Sequence, residues 1–233
     1  MTARSQRGKL ISFEGLDGCG KSTQLENLAE ALRRDRIDVV TTREPGGTDI
    51  GERIRAVLLD SRTCGLDAHA EMALMFASRA QLIAEVIAPA LAAGKWVLCD
   101  RFTDSTEAYQ GGGRQLGRDA VLRLHEVLCR NLWPDLTILM DSDVSASVKR
   151  ARRRNKAADC GVDENRFEKE NHAFFERVHT GFLEIARREP QRVVLIDARP
   201  PIEEVRERIF SLVRERLLVE YAKAKSTAER STR

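Results

Sequence analysis

The 233-residue chain lacks several features that would assign it to a class at once. It has no run of about 18 apolar residues, so we expect no membrane span and no membrane partner. Segment 1–9 is polar and lacks the apolar middle of a secretory signal. Five scattered cysteines form no C-x-x-C pair: Cys19, Cys64, Cys99, Cys129 and Cys160. This spacing favours reduced thiols in the cytoplasm over disulfides or a zinc site.

Neither sign of charge dominates the sequence. The 39 basic and 36 acidic residues leave a net charge of +3. The two densest basic clusters, 149–154 and 33–36, contain no aromatic residues, and aromatics make up only 5% of the chain. A platform for single-stranded nucleic acid would interleave the two residue types. A nucleic-acid partner is therefore not expected, and a nucleic-acid-binding protein is the least favoured class.

A phosphate-binding loop is present near the N-terminus. Segment 15–22 fits the template G-x-x-x-x-G-K-[ST] at every fixed position, between the apolar run Leu10–Phe13 and a helical pattern. Glycines let the backbone approach phosphates, and the helix N-terminus favours their charge. In this interpretation Lys21 contacts the β- and γ-phosphates of ATP, and Ser22 contacts Mg²⁺. The predicted nucleotide-binding residues are Gly15, Leu16, Asp17, Gly18, Cys19, Gly20, Lys21, Ser22 and Thr23. The alternative is a glycine turn before an unrelated helix.

Apolar runs alternate with helical patterns along the chain. The predicted strands are Leu10–Glu14, Val39–Arg43, Trp96–Asp100, Leu136–Asp141 and Val193–Asp197. The predicted helices cover 21–36, 50–59, 71–93, 119–131, 144–154 and 201–219. Short apolar strands without alternation are buried on both faces, so we predict an α/β fold: a five-stranded parallel sheet with helices on both faces. We expect one domain over 1–220 and a polar, disordered tail over 221–233.

Charged residues stand where predicted strands end, and ligands bind beyond the carboxyl ends of parallel strands. Asp100 is a candidate magnesium ligand, although strand-end aspartates also cap turns. Arg101 suits phosphate oxygens, with a surface salt bridge as the alternative. Arg43 opens the turn Arg43–Thr48, which contains two glycines, and it could bind a second phosphate or belong to an ordinary turn.

Three further groups are candidate site residues. The arginine cluster at the end of the helix over 144–154 leads into a polar stretch, and we interpret about 149–166 as a lid; a solvated face is the alternative. Phe76 and Arg79 lie one turn apart; Phe76 alone would be assigned to the core, but Arg79 could contact a planar base. Ser105, Thr106 and Tyr109 offer hydroxyl groups near Asp100.

Several ordered motifs, from about Leu10 to Ile209, resemble the thymidylate kinase family. They are the phosphate loop with Asp17, then REPGGT (43–48), Phe76–Arg79, Asp100-Arg101, STEAYQGGGR (105–114), PDLT (134–137) and IDA (196–198). The resemblance implies a P-loop NTPase fold of the nucleoside monophosphate kinase type. It also implies direct in-line transfer from ATP to dTMP with Mg²⁺, giving dTDP for dTTP synthesis. Family members are homodimers packed through helices that include the region 71–93.

The same resemblance implies roles for individual residues. Asp17 resembles the carboxylate that bonds the deoxyribose 3′-hydroxyl, and Tyr109 resembles the tyrosine that excludes ribonucleotides. Arg79 is similar to the arginine that meets thymine O4. The substrate-binding set implied is Asp17, Arg43, Pro45, Phe76, Arg79, Arg101, Ser105, Thr106, Tyr109 and Gln110, with Phe76 stacking on the base and Arg43 and Arg101 on the dTMP phosphate. The catalytic set is Lys21, Asp17, Arg101, Arg152 and Arg154, with Ser22 and Asp100 as metal ligands. Arg152, Arg154 and Arg166 resemble lid arginines that close on ATP.

The chain departs from the family pattern at three positions. Gly18 stands where some members carry an arginine in the phosphate loop, so the catalytic arginine is expected from the lid, as in the bacterial variant. Phe102 replaces a frequent Tyr or His. Many members place the stacking aromatic four residues before the base-reading arginine, and that position is Met75 here.

Two other classes remain open on the sequence alone. The chain could be a kinase for another monophosphate or for a deoxynucleoside. It could also be a phosphate-loop switch that uses hydrolysis to change shape, in which case no acceptor pocket is needed. A panel of acceptors separates these hypotheses.

Overall fold

Five parallel strands form the centre of the computed structural model, which describes residues 7–157 and 166–218, without the side chains of 154–157 and 168. The strands are β1 (Leu10–Glu14), β2 (Val39–Arg43), β3 (Trp96–Asp100), β4 (Leu136–Asp141) and β5 (Val193–Asp197). Their order is β2-β3-β1-β4-β5. The predicted α/β fold and all five predicted strands are confirmed.

Helices surround the sheet. They are α1 (Lys21–Arg34), α2 (Asp49–Leu59), α3 (Ala68–Leu82), α4 (Ala88–Ala92), α5 (Thr103–Thr106), α6 (Arg118–Cys129), α7 (Val144–Ala157), α8 (His172–Arg188) and α9 (Ile202–Val213). Wider π-helical turns follow three of them, at Ile83–Ile87, Glu107–Gly113 and Arg214–Leu218. A short 3₁₀ turn covers Phe167–Lys169.

The sheet is covered on both faces, as its apolar strands require. On one face, α1 and α9 pack through residues such as Leu28 and Ile209 against Phe13 of β1. On the other, α3, α4 and α6 form a second apolar cluster with Leu10 and Val97. A third cluster joins α7 and α8 to β4 and β5.

Helix prediction was wrong in two places. No helix was predicted at α8, although Phe174, Val178, Phe182 and Ile185 follow helical spacing and are all buried. Thr103–Gly113 was also left unassigned, and its three consecutive glycines are unusual in a helix. These glycines permit close packing: a Cβ on Gly113 would lie 2.6 Å from the Phe174 ring. The helix predicted over 71–93 begins earlier, because the Asp67 side chain caps it by accepting from the backbone of His69 and Ala70.

One helical stretch, Ala68–Ala92, is long and apolar enough by length and composition to cross a membrane. Its Phe76, Leu82 and Ile87 are nevertheless fully buried in the second cluster, against the sheet. It is therefore a partly buried core helix that packs against the sheet. The predicted disordered tail, 221–233, and the lid residues 158–165 lie outside the described residues.

A buried ion pair joins Asp104, in α5 after β3, to Arg192, which immediately precedes β5. Arg192 donates from Nη1 to Asp104 Oδ2 at 2.7 Å and from Nη2 to Asp104 Oδ1 at 2.9 Å. The Asp104 side chain is only 2% exposed. Removing one partner of a buried pair leaves the other charge uncompensated, which is strongly destabilising.

We therefore expect Asp104→Asn to lower the free energy of unfolding by about 3 kcal/mol. The exposed pair between Glu204 and Arg208 provides the control, and Glu204→Gln should cost less than about 0.5 kcal/mol. Urea denaturation of the three proteins measures both values. Equal losses in the two variants would contradict the assignment of stability to the buried pair.

Candidate active site

The phosphate loop leaves the carboxyl end of β1 and enters α1 directly. Gly15, Gly18 and Gly20 all adopt positive φ angles, which glycine tolerates without a Cβ penalty. Lys21 begins α1, and its buried ammonium donates to the carbonyl oxygens of Gly15 at 3.1 Å and Leu16 at 2.8 Å. The loop thus wraps around its own lysine at the helix N-terminus, the arrangement in which loop amides favour an anion.

Ser22 and Asp100, the two predicted metal ligands, lie side by side. The Ser22 hydroxyl donates to Asp100 Oδ2 at 2.7 Å. Mg²⁺ prefers oxygen ligands and keeps several waters, so it usually takes only one or two protein carboxylates together with substrate phosphates. Within 7–157 and 166–218 no group of three or more His, Cys, Asp or Glu side chains could hold a metal by itself. The hydroxyl and carboxylate pair fits Mg²⁺ bound in this way.

Arg101 joins the loop to the neighbouring strand end. Its backbone is left-handed, with φ 72°. Its guanidinium donates to Asp17 Oδ1 at 2.7 Å and to the Ser105 hydroxyl at 2.9 Å. The same group lies 5.0 Å from the centre of the Tyr109 ring. Arg101 therefore contacts three other predicted site residues at the carboxyl edge of the sheet.

A cavity of about 130 Å³ opens beside this contact. It is roughly ten times larger than the space that one water molecule needs, so it is a ligand-sized site. Its lining residues are Asp17, Glu44, Pro45, Arg55, Leu59, Met75, Arg79, Arg101, Ser105, Thr106, Tyr109, Gln110 and Phe167. The structure therefore places all the predicted substrate-binding residues on this cavity except Arg43 and Phe76.

Arg79 is held rigidly at the inner end of the cavity. Its side chain is 2% exposed; Nε donates to Glu44 Oε2 at 2.6 Å and Nη2 to the Thr106 hydroxyl at 2.9 Å. Its Nη1 is buried and has no hydrogen-bond partner in the part of the chain that the structure describes. Burial raises the pKa of Glu44 to about 7, while Arg79 opposes that rise. Sequence reasoning did not single out Glu44, although it lies within the Arg43–Thr48 motif.

The structure corrects the prediction for Phe76. This side chain has no exposure to solvent, and the Arg79 guanidinium lies 4.8 Å from the centre of its ring. Met75 lines the cavity in its place. The reason is helical geometry: Met75 and Phe76 both lie within one turn of Arg79 but point about 100° apart around α3, so Met75 faces the cavity and Phe76 faces the core.

Arg43 also lies away from the cavity. Its half-exposed guanidinium donates to both carboxylate oxygens of Glu52, at 3.2 and 3.1 Å. Glu52 additionally accepts from the backbone of Gly47 at 2.8 Å. The turn after β2 thus presents Arg43 to α2 rather than to Arg101.

The predicted lid arginines are placed in different environments. Arg152 is exposed and donates to the backbone oxygen of Glu170 at 3.2 Å, while the Arg154 side chain lies outside the described residues. Arg166 was expected at ATP, but its guanidinium lies 2.7 Å from Glu71, on the cavity side of the fold. The structure therefore does not bring Arg166 to the phosphate loop. Burial of the Glu71 carboxylate among donors explains this position.

Sequence reasoning missed a direct contact between α7 and the phosphate loop. Arg150 donates from Nε to the backbone oxygen of Gly18 at 2.7 Å. A Cβ on Gly18 would lie 2.5 Å from the backbone oxygen of Ser147. Only a residue without a side chain fits between the loop and α7, a constraint that no local sequence pattern reveals.

Glu14 lies beneath the site, at the end of β1, and is fully buried. Its Oε1 accepts from the backbone of Phe102 at 2.7 Å, and its Oε2 accepts from Ser105. Burial, together with the nearby charge of Asp104, raises the pKa of Glu14 to about 8. Glu14 is therefore a neutral hydrogen-bonding group at neutral pH.

A phosphate loop, a hydroxyl and carboxylate pair, and an adjoining cavity walled by arginines define a phosphotransferase of the nucleotide kinase class. Comparison with known proteins identifies the family. The thymidylate kinase family model matches residues 13–209. A thymidylate kinase from Desulfovibrio desulfuricans is 48% identical over 84% of this chain and 90% of its own length. One from Geobacter sulfurreducens is 48% identical over 84% of this chain and 92% of its own.

A solved structure agrees with this result. The crystal structure of thymidylate kinase from Ehrlichia chaffeensis superimposes with a TM-score of 0.70 at 31% identity, covering 89% of this chain and 99% of that one. The chain belongs to the thymidylate kinase family. Its activity is that of the family, the phosphorylation of dTMP to dTDP.

The raised pKa of Glu14 predicts a pH-dependent stability. Between about pH 4.5 and 8 the unfolded chain ionises this carboxyl group while the fold keeps it protonated, so stability falls as pH rises. Glu14→Gln removes this loss. The free energy of unfolding of Glu14→Gln, relative to that of the parent, should therefore rise by up to about 1.4 kcal/mol for each pH unit within that window. Urea denaturation at pH 5, 6.5 and 8 measures the difference, with Glu204→Gln as the exposed control. A difference that stays constant with pH would show that Glu14 is ionised in the fold.

Proposed function

We propose that the two halves of this site bind the two substrates of the dTMP kinase reaction, ATP at the phosphate loop and dTMP in the adjoining cavity. The contact between Arg101 and Asp17 carries the proposal, because Asp17 belongs to the loop and both residues line the cavity. A phosphate held at Arg101 would therefore face a phosphate held at the loop.

On the donor side, the loop residues 15–23 bind the ATP phosphates, and Lys21 turns from its own loop carbonyls to the β- and γ-phosphates. Ser22 and Asp100 would hold Mg²⁺, and the metal would neutralise charge on the transferred phosphate. The oxygen donors of this pair, 2.7 Å apart, support the assignment.

On the acceptor side, the cavity binds dTMP from base to phosphate. Arg79 donates to the base edge, Gln110 contacts the same edge, and Met75 lies against the ring. Asp17 accepts from the 3′-hydroxyl, and Tyr109 occupies the space beside the 2′ position. Pro45, Ser105 and Thr106 complete the walls. Arg101 binds the acceptor phosphate, and Arg43 joins it on leaving Glu52.

The chemical step is a direct in-line transfer without a covalent intermediate. Positioning and charge neutralisation supply the rate enhancement, so no strong base is required. Lys21 and Arg101 provide fixed positive charge, and Arg152 and Arg154 add charge from the lid. The absence of space for a side chain at Gly18 supports this lid-arginine variant, since α7 occupies the place that a loop arginine would need.

We further propose a cytoplasmic homodimer without a membrane or nucleic-acid partner. Val57 on α2, and Val127 and Leu128 on α6, are exposed apolar side chains on the two helices that pack against α3. Exposed apolar side chains on helices that flank a common partner helix support a subunit interface there. The cysteines at 19, 64, 99 and 129 are free thiols, which supports a reducing compartment.

The acceptor assignment predicts a selective loss in Arg79→Ala. Coupled ADP release should be fastest with dTMP among dTMP, dUMP, dCMP, AMP and thymidine. Arg79→Ala should lower kcat/KM for dTMP by about 100-fold, because a buried charged donor to the base is lost. Arg208→Ala, on an exposed part of α9, is the matched control and should keep the parent value. A parent rate with dTMP no better than with the other acceptors would refute the proposal.

The metal assignment makes a separate prediction. Asp100→Asn should raise the Mg²⁺ concentration for half-maximal rate by about tenfold, because a neutral amide is a weaker ligand for a hard cation than a carboxylate. The KM for dTMP should change little, since Asp100 does not line the cavity. A magnesium titration of both proteins measures the shift. An unchanged titration curve would exclude Asp100 as a ligand.

A further inference from the structure

Glu71 is a buried carboxylate that lines neither the phosphate loop nor the cavity. It lies in the first turn of α3 and has no exposure to solvent. Two side chains from one segment donate hydrogen bonds to the Glu71 carboxylate: Gln110 Nε2 to Oε1 at 2.7 Å, and Arg114 Nη2 to Oε2 at 3.1 Å. An ion pair adds a contact from a distant segment, with Arg166 Nη2 at 2.7 Å from Oε2. Three parts of the chain are therefore joined at one carboxyl group.

Two of these partners lead directly to the cavity wall. Gln110 lines the cavity itself. Arg166 precedes Phe167, another lining residue, and its guanidinium lies 4.5 Å from the centre of that ring. Phe167 in turn packs edge-on against Tyr109, with ring centres 5.8 Å apart. Glu71 thus contacts the outer wall of the cavity through both residues.

The segment around Phe167 has further anchors to the same wall. The backbone of Arg166 donates to the carbonyl oxygen of Leu59 at 3.1 Å, and Leu59 also lines the cavity. Arg114 donates from Nη1 to Glu170 at 2.6 Å, in addition to its bonds with Glu71. Arg114 therefore connects the Glu71 carboxylate to the far end of this short segment.

The bond from Gln110 also fixes which end of its amide faces the cavity. Because the NH₂ group donates to Glu71, the carbonyl oxygen is the end that remains for a ligand. In the described part of the chain no hydrogen bond reaches that oxygen. A carboxylate can only accept, so it holds this orientation, whereas a neutral amide at position 71 could donate or accept and would permit both.

We infer that Glu71 is a positioning residue for the acceptor site: it sets the amide of Gln110 and the ring of Phe167 without touching the substrate. The inference rests on the proposed function, since it takes the cavity as the dTMP site. It separates Glu71 from the catalytic residues, because all of its contacts are with protein side chains. It also assigns Arg166 to the acceptor wall.

The first test is Glu71→Gln, which keeps the size of the side chain. We expect the KM for dTMP to rise about tenfold while kcat and the KM for ATP stay within about twofold, because the wall binds the nucleoside equally in ground and transition states. The preference for dTMP over dCMP should also fall about tenfold, since a turned Gln110 amide would offer a donor to cytosine N3. An unchanged KM for dTMP would overturn the inference.

Two control variants separate positioning from lost stability. Glu204→Gln breaks an exposed ion pair on α9, away from the cavity, and its KM for dTMP should stay within about twofold. Asp135→Ala removes an acceptor for the backbone of Leu10 at the opposite end of the sheet, so it should lower the melting temperature without moving that KM. A rise in either control equal to that in Glu71→Gln would overturn the inference.

If Glu71→Gln does not fold, a second variant, Arg166→Gln, disrupts the same network. Arg166→Gln should raise the KM for dTMP and leave the KM for ATP unchanged. The reverse pattern would place Arg166 on the donor side and overturn the inference. The double variant Glu71→Gln/Gln110→Ala should be no worse than Gln110→Ala alone by more than about twofold, because one residue acts through the other. If the increases in KM for dTMP in the two single variants were fully additive in the double variant, Glu71 would not act through Gln110.

The outcome for Arg79→Ala distinguishes this inference from the proposed function. If Arg79→Ala raises the KM for dTMP and Glu71→Gln does not, the cavity remains the acceptor site and only the positioning role of Glu71 fails. If neither variant changes that KM, the acceptor lies elsewhere and both proposals fail.

Discussion

The register of two neighbouring strands sets the position of every group in the site. Phe13 of β1 pairs with Asp100 of β3, so the phosphate loop and the Asp100-Arg101 pair leave the sheet side by side. Arg101 then reaches Asp17 and Ser105, while Asp100 reaches Ser22. A shift of one residue in this register would turn these side chains to the other face of the sheet. The phosphate loop, the proposed metal ligands and Arg101 therefore depend on one strand pairing.

The sequence was sufficient for those parts of the fold that local patterns determine. The five strands and the phosphate loop are short contiguous signals, and their positions follow from hydrophobicity and glycine spacing. Asp100 and Arg101 could be placed because the carboxyl ends of parallel strands share an edge. Their distances to Ser22 and Asp17 could not be predicted, because those depend on rotamers and on register.

The errors in site prediction have identifiable physical causes. Phe76 and Met75 differ by one position on a helix, about 100° of rotation, and only the packed orientation of α3 shows which of them faces the cavity. Arg166 follows a charged stretch that is typical of a lid, yet its partner Glu71 lies 95 positions earlier in the chain. Glu44 and Glu71 gave no signal, because a buried acid is recognised by its partners rather than by its neighbours in sequence.

Gly18 limits how this chain could change over time. The backbone of α7 occupies the space where a side chain at position 18 would stand, 2.5 Å from the carbonyl oxygen of Ser147. Members of the family with an arginine in the loop cannot be reached from here by one substitution, since α7 would have to be displaced in the same step. A steric barrier therefore separates the lid-arginine arrangement that we propose for this chain from one with an arginine in the loop. A lineage that crosses this barrier must first reshape α7.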